Sequence, residues 1–498
     1  MRILYIDIDS LRPDHLGCYG YLRDTSPNID RVAAQGVRFE NCYVSDAPCL
    51  PSRTALWSGR FGFQTGVINH GGAAAQPFIE GPDRDFHDLF GKTSWMAALR
   101  QLGYHTATVS PFGERHGAWH WYAGYNEIHN TGRIGVERAD EITPVALDWL
   151  RRNGQRDNWF LHVNLWDPHT PYRTPYAYGN PFEGQPISDW YTEDLLKRAQ
   201  DQTGMRAVPN LNGWGGESDH RTFPRVPQRL NSMADLCQFI DGYDVGVRYA
   251  DDHIGQMLDL LAELNIDGET IIMISADHAE NLGELGVWAD HQTADHITCR
   301  VPLIVKWPGL TDADSTWVET ALHYQFDWMA TMVELLGGKT PSIWDAQSFA
   351  DSFRAGESAG REYLALSQAA LTCQRSIRFR EQIPEHERDY LWIETYHDGY
   401  KLYDRLMLFD LTDDPREEHN LAGDQPALVQ QARAYFSEWY SEMMRRSRTN
   451  VDPMMTVLRE GGPHHARGQL PRYLRYLRSI GRDDLADRLE TGYTNELQ

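Results

Sequence analysis

Short apolar runs that end in acids or histidine, spaced by helical stretches, constrain the fold of this 498-residue chain more than any other feature. Ile3–Ile8 runs into Asp9, Trp159–Trp166 into Asp167 and His169, and Thr270–Ser275 into Asp277 and His278. Val37–Val44, Thr106–Ser110 and Val301–Lys306 read as further strands. Between them, helices are predicted over Asn28–Gln35 before Gly36, Thr54–Trp57, Ser94–Leu102 before Gly103, Ile142–Arg152, and Tyr243–Leu264 with its apolar face of Val247, Ile254, Leu258 and Leu261. Strands alternating with helices predict a mostly parallel sheet covered on both faces. In such sheets ligands sit beyond the carboxyl ends of the strands, where the acids and histidines lie.

Two stretches depart from this pattern. Residues 170–232 are rich in Pro, Gly and Trp and read as a long insertion covering the site. After about residue 370 the runs shorten: Ser376–Phe379, Tyr390–Thr395, Lys401–Tyr403 and Met407–Leu411 suggest an antiparallel sheet, with helices over 425–445 and near 470–488. The expected division is a catalytic domain over 1–370, with 170–232 as insertion or lid, and a smaller α+β subdomain with a helical tail over 371–498.

Charge narrows the function. Lys+Arg 47 against Asp+Glu 71 leaves a net −24, a poor match to a general nucleic-acid binder. No apolar run approaches the roughly 20 residues of a membrane span. The first residues enter a strand instead of an apolar leader, so the expectation is a cytoplasmic protein without membrane partners. Six scattered cysteines contain no CxxC pair and suggest neither a zinc site nor a disulfide framework.

Four segments carry chemistry. Cys49-Leu50-Pro51-Ser52-Arg53 leads into Thr54–Arg60. Asp7-Ile8-Asp9-Ser10 closes the first strand, ahead of Leu16-Gly17-Cys18-Tyr19-Gly20. Ser275-Ala276-Asp277-His278-Ala279-Glu280 ends a central strand, and Arg300–Gly309 follows. Pro168-His169-Thr170-Pro171 follows another strand end. Taken singly, Cys49 could be a buried free thiol and His169 a solvated loop residue. Together these segments resemble the sulfatases of the alkaline phosphatase superfamily. A late segment, Leu408–Ala422, is similar to the architectural C-terminal motif of that family.

The resemblance implies an alkaline-phosphatase-like α/β fold, a mostly parallel sheet sandwiched by helices. It implies conversion of Cys49 to formylglycine by a maturation enzyme. The hydrated aldehyde would attack sulfur, and its second hydroxyl would then expel sulfate. It also implies one divalent cation, with Ca²⁺ the first choice and Mg²⁺ or Mn²⁺ alternatives, held by Asp9, Ser10, Cys49, Asp277 and His278. Ser10 stands where many members carry a carboxylate. Asp7 shares a strand face with Asp9 and is either a further ligand or structural. Arg53 would support the nucleophile, and His169 would act near the leaving group.

Two positions depart from the family pattern. Where a Lys-x-His is usual, this chain has Glu114-Arg115-His116, making His116 and Arg115 the substrate-binding candidates. Where a second Lys is usual it has His291, beside Asp290, with His296 the weaker choice. A histidine titrates near neutrality, so activity should depend on pH more than with lysine. The expected function is hydrolysis of a sulfate monoester of a carbohydrate or aryl alcohol. The alternatives are a phosphonate monoester or phosphodiester hydrolase of the same superfamily, or an inactive binding protein. Homo-oligomerisation through the C-terminal tail is a further expectation.

Overall fold

The computed structural model describes residues 1–79, 89–211, 213–214, 225–311, 316–383, 386–493 and 496. Part of the predicted insertion, 212 and 215–224, therefore lies outside the described residues.

The first half of the chain supplies β1 (Arg2–Ile8), α1 (Pro27–Ala33), β2 (Val37–Tyr43), β3 (Asp46–Ala47), α2 (Cys49–Ser58), β4 (His105–Val109), β5 (Glu127–His129), α3 (Ala139–Asn153) and β6 (Trp159–Leu165). The remainder of the large sheet comes from β7 (Thr270–Ser275), β8 (Arg300–Lys306), β9 (Trp317–Glu319) and β10 (His323–Tyr324), preceded by the long helix α4 (Met233–Glu263). The strand order is β9-β2-β8-β7-β1-β6-β4-β5, with β10 also on β2. The β7-β1-β6-β4-β5 block is parallel, as the alternation predicts. By contrast, β8 runs antiparallel to both β7 and β2. Residues 276–299 join β7 to β8 through a two-stranded antiparallel ribbon (Asn281–Leu282 with Trp288–Asp290) and a short helix (His296–Cys299), and the chain re-enters the sheet beside β7 in the opposite direction. β1 and β7 are buried at every residue, as expected for central parallel strands.

Helix α4 begins ten residues before its predicted start. Ser232 caps it, its hydroxyl accepting from the Asp235 N–H. Glycine lets α4 pass close to the site: a Cβ on Gly246 would stand 2.7 Å from the Asp167 carbonyl oxygen and 3.0 Å from Pro168 Cα. α4 therefore braces the loop that presents His169.

The small sheet is formed by β11 (Tyr363–Gln368), β12 (Cys373–Ile383), β13 (His386–His397) and β14 (Leu406–Asp410), in the order β14-β13-β12-β11-β3. Its first strand precedes residue 371, and β3 comes from the turn just before Cys49. Lys401–Tyr403, predicted as a strand, is a turn in which Lys401 Nζ donates to the Gly286 carbonyl. Four helices follow among the described residues: α5 (Pro426–Arg446), a short helix over Pro453–Arg459 and, in place of the single helix expected near 470–488, α6 (Leu470–Ser479) and α7 (Asp483–Gly492). The last two pack with Tyr400 in a separate apolar cluster, and Tyr473 OH accepts from the Gly204 N–H. Among the described residues, no helix is long and apolar enough to cross a membrane.

Candidate active site

β1 ends in an unusual turn. Ser10 takes φ +61°, rarely adopted by a non-glycine residue. Tyr243 of α4 locks it, donating its hydroxyl to the Ser10 carbonyl (2.7 Å) and accepting from the Arg12 N–H (2.9 Å). The turn leaves Asp9 fully buried at the head of β1. β7 ends alongside and delivers Asp277 and His278. Ser52, in the first turn of α2, donates to the Asp277 carbonyl at 2.5 Å. Cys49, the first residue of α2, is thereby fixed opposite both strand ends, its Sγ 3.0 Å from His278 Nε2.

Ligand atoms of Asp9, Cys49, Asp277 and His278 all lie within 4.8 Å of one another, and so, in a second set, do those of Cys49, His169 and His291. The two sets share Cys49. Ser10 stands behind the first set, its hydroxyl donating to Asp9 Oδ1 (3.1 Å) and its N–H to Asp277 Oδ1 (3.3 Å). Asp7 belongs to neither. It accepts Nε of Arg53 (2.9 Å), and the same guanidinium reaches Asp9 Oδ2 (3.1 Å) and Asp277 Oδ2 (2.5 Å) through Nη1. Arg53 thus ties three buried carboxylates together, while its Nη2 has no hydrogen-bond partner among the described residues.

The charges explain why a cation fits here. Burial drives the Asp277 carboxyl up, and Asp9 and Asp7 reinforce the effect against Arg53. At Asp9 burial acts the same way, but His169, Arg53 and His278 outweigh it and hold the carboxylate well below its usual range. Three buried acids around one guanidinium leave excess negative charge that a divalent ion would neutralise. His278 is suited to ligate: burial keeps it neutral, and Nδ1 donates to the Ala279 carbonyl (3.0 Å), leaving the Nε2 lone pair turned inward.

The other histidines differ in state. Burial pushes His169 below its ordinary value against the pull of Asp9, and its Nδ1 donates to the Thr170 carbonyl. His291 is held well above its ordinary value: burial opposes the charge, but Asp290, the Cys49 side chain and Glu280 outweigh it. Its Nδ1 donates to Glu280 Oε2 at 2.9 Å. Burial and the carboxylates of Asp9 and Asp277 push the Cys49 thiol up to about 12. His296 is elsewhere, hydrogen-bonded to Tyr43 and Arg378.

Arg115 and His116 lie at the edge of this cluster. Trp166 carries two guanidiniums, Arg53 at 5.4 Å and Arg115 at 5.1 Å from its ring centroid. His116 packs on Phe112 and His70. The sequence reading assigned no role to Glu280, Arg173, His70 or His465. Glu280 was within reach, three residues past Asp277; the others carry no local signal.

Comparison with known proteins agrees with this geometry. The sulfatase family's sequence model matches residues 2–338. The N-acetylglucosamine-6-O-sulfatase of Bacteroides thetaiotaomicron is 23% identical over 484 residues, covering 85% of this chain and 82% of that protein. A protein solved in complex with its substrate D-glucosamine-2-N,6-O-disulfate superposes with a TM-score of 0.66 at 19% identity, over 91% of this chain and 99% of that one. A phosphonate monoester hydrolase from Silicibacter pomeroyi superposes with a TM-score of 0.64 at 19% identity, over 92% and 97%. The common architecture is the alkaline-phosphatase-like α/β fold anticipated from the sequence.

Proposed function

This chain belongs to the sulfatase family, and on that premise we propose that it hydrolyses sulfate monoesters of saccharides with Cys49, as formylglycine, supplying the nucleophile. The observation that carries this reading is the position of Cys49: the first residue of a buried helix, facing Asp9, Asp277 and His278 on one side and His169 and His291 on the other. A thiol held near 12 is almost wholly protonated at neutral pH and is a poor nucleophile as it stands. Oxidation by a maturation enzyme followed by hydration would place an oxygen nucleophile at the same point.

Asp9, Asp277 and His278 would hold one divalent cation, with Ser10 orienting both carboxylates. Calcium suits an oxygen-rich set, and magnesium or manganese are the alternatives. When bound, the cation lowers the pKa of an oxygen nucleophile and offsets the charge of the sulfate group. Arg53 holds the carboxylates in place. His291, cationic and braced by Glu280, donates to the sulfate oxygens. His169 presents Nε2 on the same side, where it can exchange a proton with the leaving oxygen.

The test has two parts. The mass of the tryptic peptide Phe39–Arg53, from protein made with a maturation enzyme, should show the aldehyde in place of the Cys49 thiol. Turnover of D-glucosamine 6-sulfate should exceed that of an aryl phosphonate monoester. Both usual lysines are replaced here, by Arg115-His116 and His291, which keeps a phosphonate monoester or phosphodiester hydrolase as the second reading. A preference for the phosphonate would establish it. An unmodified thiol with no turnover of either ester would remove both.

A further inference from the structure

Arg173, in the loop after His169, forms no ion pair with a carboxylate among the described residues. Its side chain is 92% buried (8% exposed), and neither Nε nor Nη1 has a hydrogen-bond partner among the described residues. Burial and the neighbouring charge of Arg115 pull it down to about 10. Among the described residues, Arg115 is held by the Gly135 carbonyl, at 2.7 Å, and by the face of Trp166.

None of the carboxylates in electrostatic range, Asp9, Asp167 and Glu137, hydrogen-bonds to Arg173 among the described residues. Asp9 is tied to Arg53, and Glu137 accepts from Thr131 and the Arg133 N–H. Asp167 accepts from the Ala139 N–H, and burial raises its carboxyl to about 7. Two guanidiniums that repel one another, one of them buried and without an ion-pair partner among the described residues, are unfavourable unless an anion joins them. The surroundings also offer neutral donors. His465, in the loop before α6, lies 3.0 Å from His70 through their Nε2 and Nδ1 atoms. The ring of His116 is 4.8 Å from that of His70, and the Nε2 atoms of His70 and His116 are buried without partners among the described residues. The trio is electrostatically linked to His291 and Arg115. The C-terminal segment thus reaches the catalytic centre.

We propose that Arg173 and Arg115, with His465 and His70 alongside, form a subsite for a second anionic group, so that the substrate is a saccharide bearing another sulfate or a carboxylate near the scissile ester. The identity of the first anion rests on the sulfatase reading; the subsite rests on the unpaired Arg173. A guanidinium holds either acidic group through paired N–H donors, and the group's identity follows from substrate preference.

The experiment compares the matured, metal-loaded enzyme with Arg173→Gln. The ratio of kcat/KM for D-glucosamine 2-N,6-O-disulfate over D-glucosamine 6-sulfate is the first readout. It should exceed one in the native enzyme and fall about 10- to 100-fold in the variant, mostly through KM, the size of one charge-assisted contact. The second readout needs no turnover: the rise in melting temperature with sodium sulfate, against sodium chloride of equal ionic strength, should be smaller in the variant. In the absence of sulfate the variant should melt higher, because a buried unpaired charge is gone. An unchanged ratio, an equal sulfate response, or a variant that melts lower and responds normally would each make Arg173 a structural residue and overturn the subsite. If no sulfate ester is turned over, the functional reading fails, and the sulfate response alone judges the subsite.

Discussion

His291 donates Nδ1 to Glu280 Oε2 across 2.9 Å, and both side chains are buried beside Cys49. This pair positions His291, the residue proposed to donate to the sulfate oxygens. Burial opposes the imidazolium, but Asp290, Cys49 and Glu280 hold it well above its ordinary value. The raised value means that the stabilisation is fully present below about pH 6.5. It is lost as pH rises through the folded-state value.

The first prediction follows from that sign. In Glu280→Gln the imidazolium loses a supporting charge, so the alkaline limb of the kcat/KM profile moves to lower pH while the acid limb stays. His291→Ala lowers kcat/KM by roughly 10²–10⁴-fold, as for a lost proton donor. pH profiles of the two variants on one sulfate ester check this. An alkaline limb unmoved by Glu280→Gln would remove His291 from the protonation that governs activity.

Arg53 sets the second. It is the guanidinium between Asp7, Asp9 and Asp277, so Arg53→Met leaves three buried carboxylates facing one another. Loss of one partner of a buried ion pair costs about 3–5 kcal/mol. Added calcium should restore part of it, and a chelator should destabilise the native enzyme. Denaturant unfolding with chelator and with calcium measures both. Equal stability in the two conditions would rule out cation binding by these acids.

Lys401 lies far from the nucleophile in sequence and reports on packing alone. Burial lowers its amine from 10.5 to about 7, against the pull of Asp290 and Asp398. Between those values the unfolded chain binds a proton that the native protein does not, so stability rises with pH at about 1.4 kcal/mol per unit. The penalty is complete below pH 7. Lys401→Met should abolish this slope and be the more stable protein at pH 7, the gap closing towards pH 10. Unfolding free energies at pH 7 and 9 decide it; identical slopes in the two proteins would show that Lys401 keeps its charge in the fold.

Gly246 supplies the last prediction. A Cβ there meets the backbone of Asp167 and Pro168, which cannot yield as a flexible side chain would. Gly246→Ala should cost about 1–3 kcal/mol by overpacking. By displacing His169 it should also lower kcat by about 10²-fold. A structure of the variant with an unshifted Pro168–His169 loop and full activity would refute the bracing role of α4.

The central strands and the chemistry at their carboxyl ends were written locally in the chain. Apolar β-branched runs specify β1, β6 and β7, and the residues just past them, Asp9, His169, Asp277 and His278, meet because parallel strands end on one side. The helix expected over Thr54–Trp57 begins earlier and takes in the whole Cys49 motif, so that Cys49 is its first residue. The antiparallel direction of β8, the recruitment of Asp46–Ala47 into the small sheet and the early start of α4 depend on connections and caps that periodicity does not encode. The same holds for partners. Asp7 pairs with Arg53, 46 residues away, and not with the metal-ligand set. His465 meets His70 across 395 residues, and Arg173 forms no ion pair among the described residues. A side chain's charge state and partner depend on burial and on neighbours delivered by distant segments. Those come into being only when the sheets and helices pack, so sequence determined the chemistry brought to the strand ends, and the tertiary structure decided which groups face one another there.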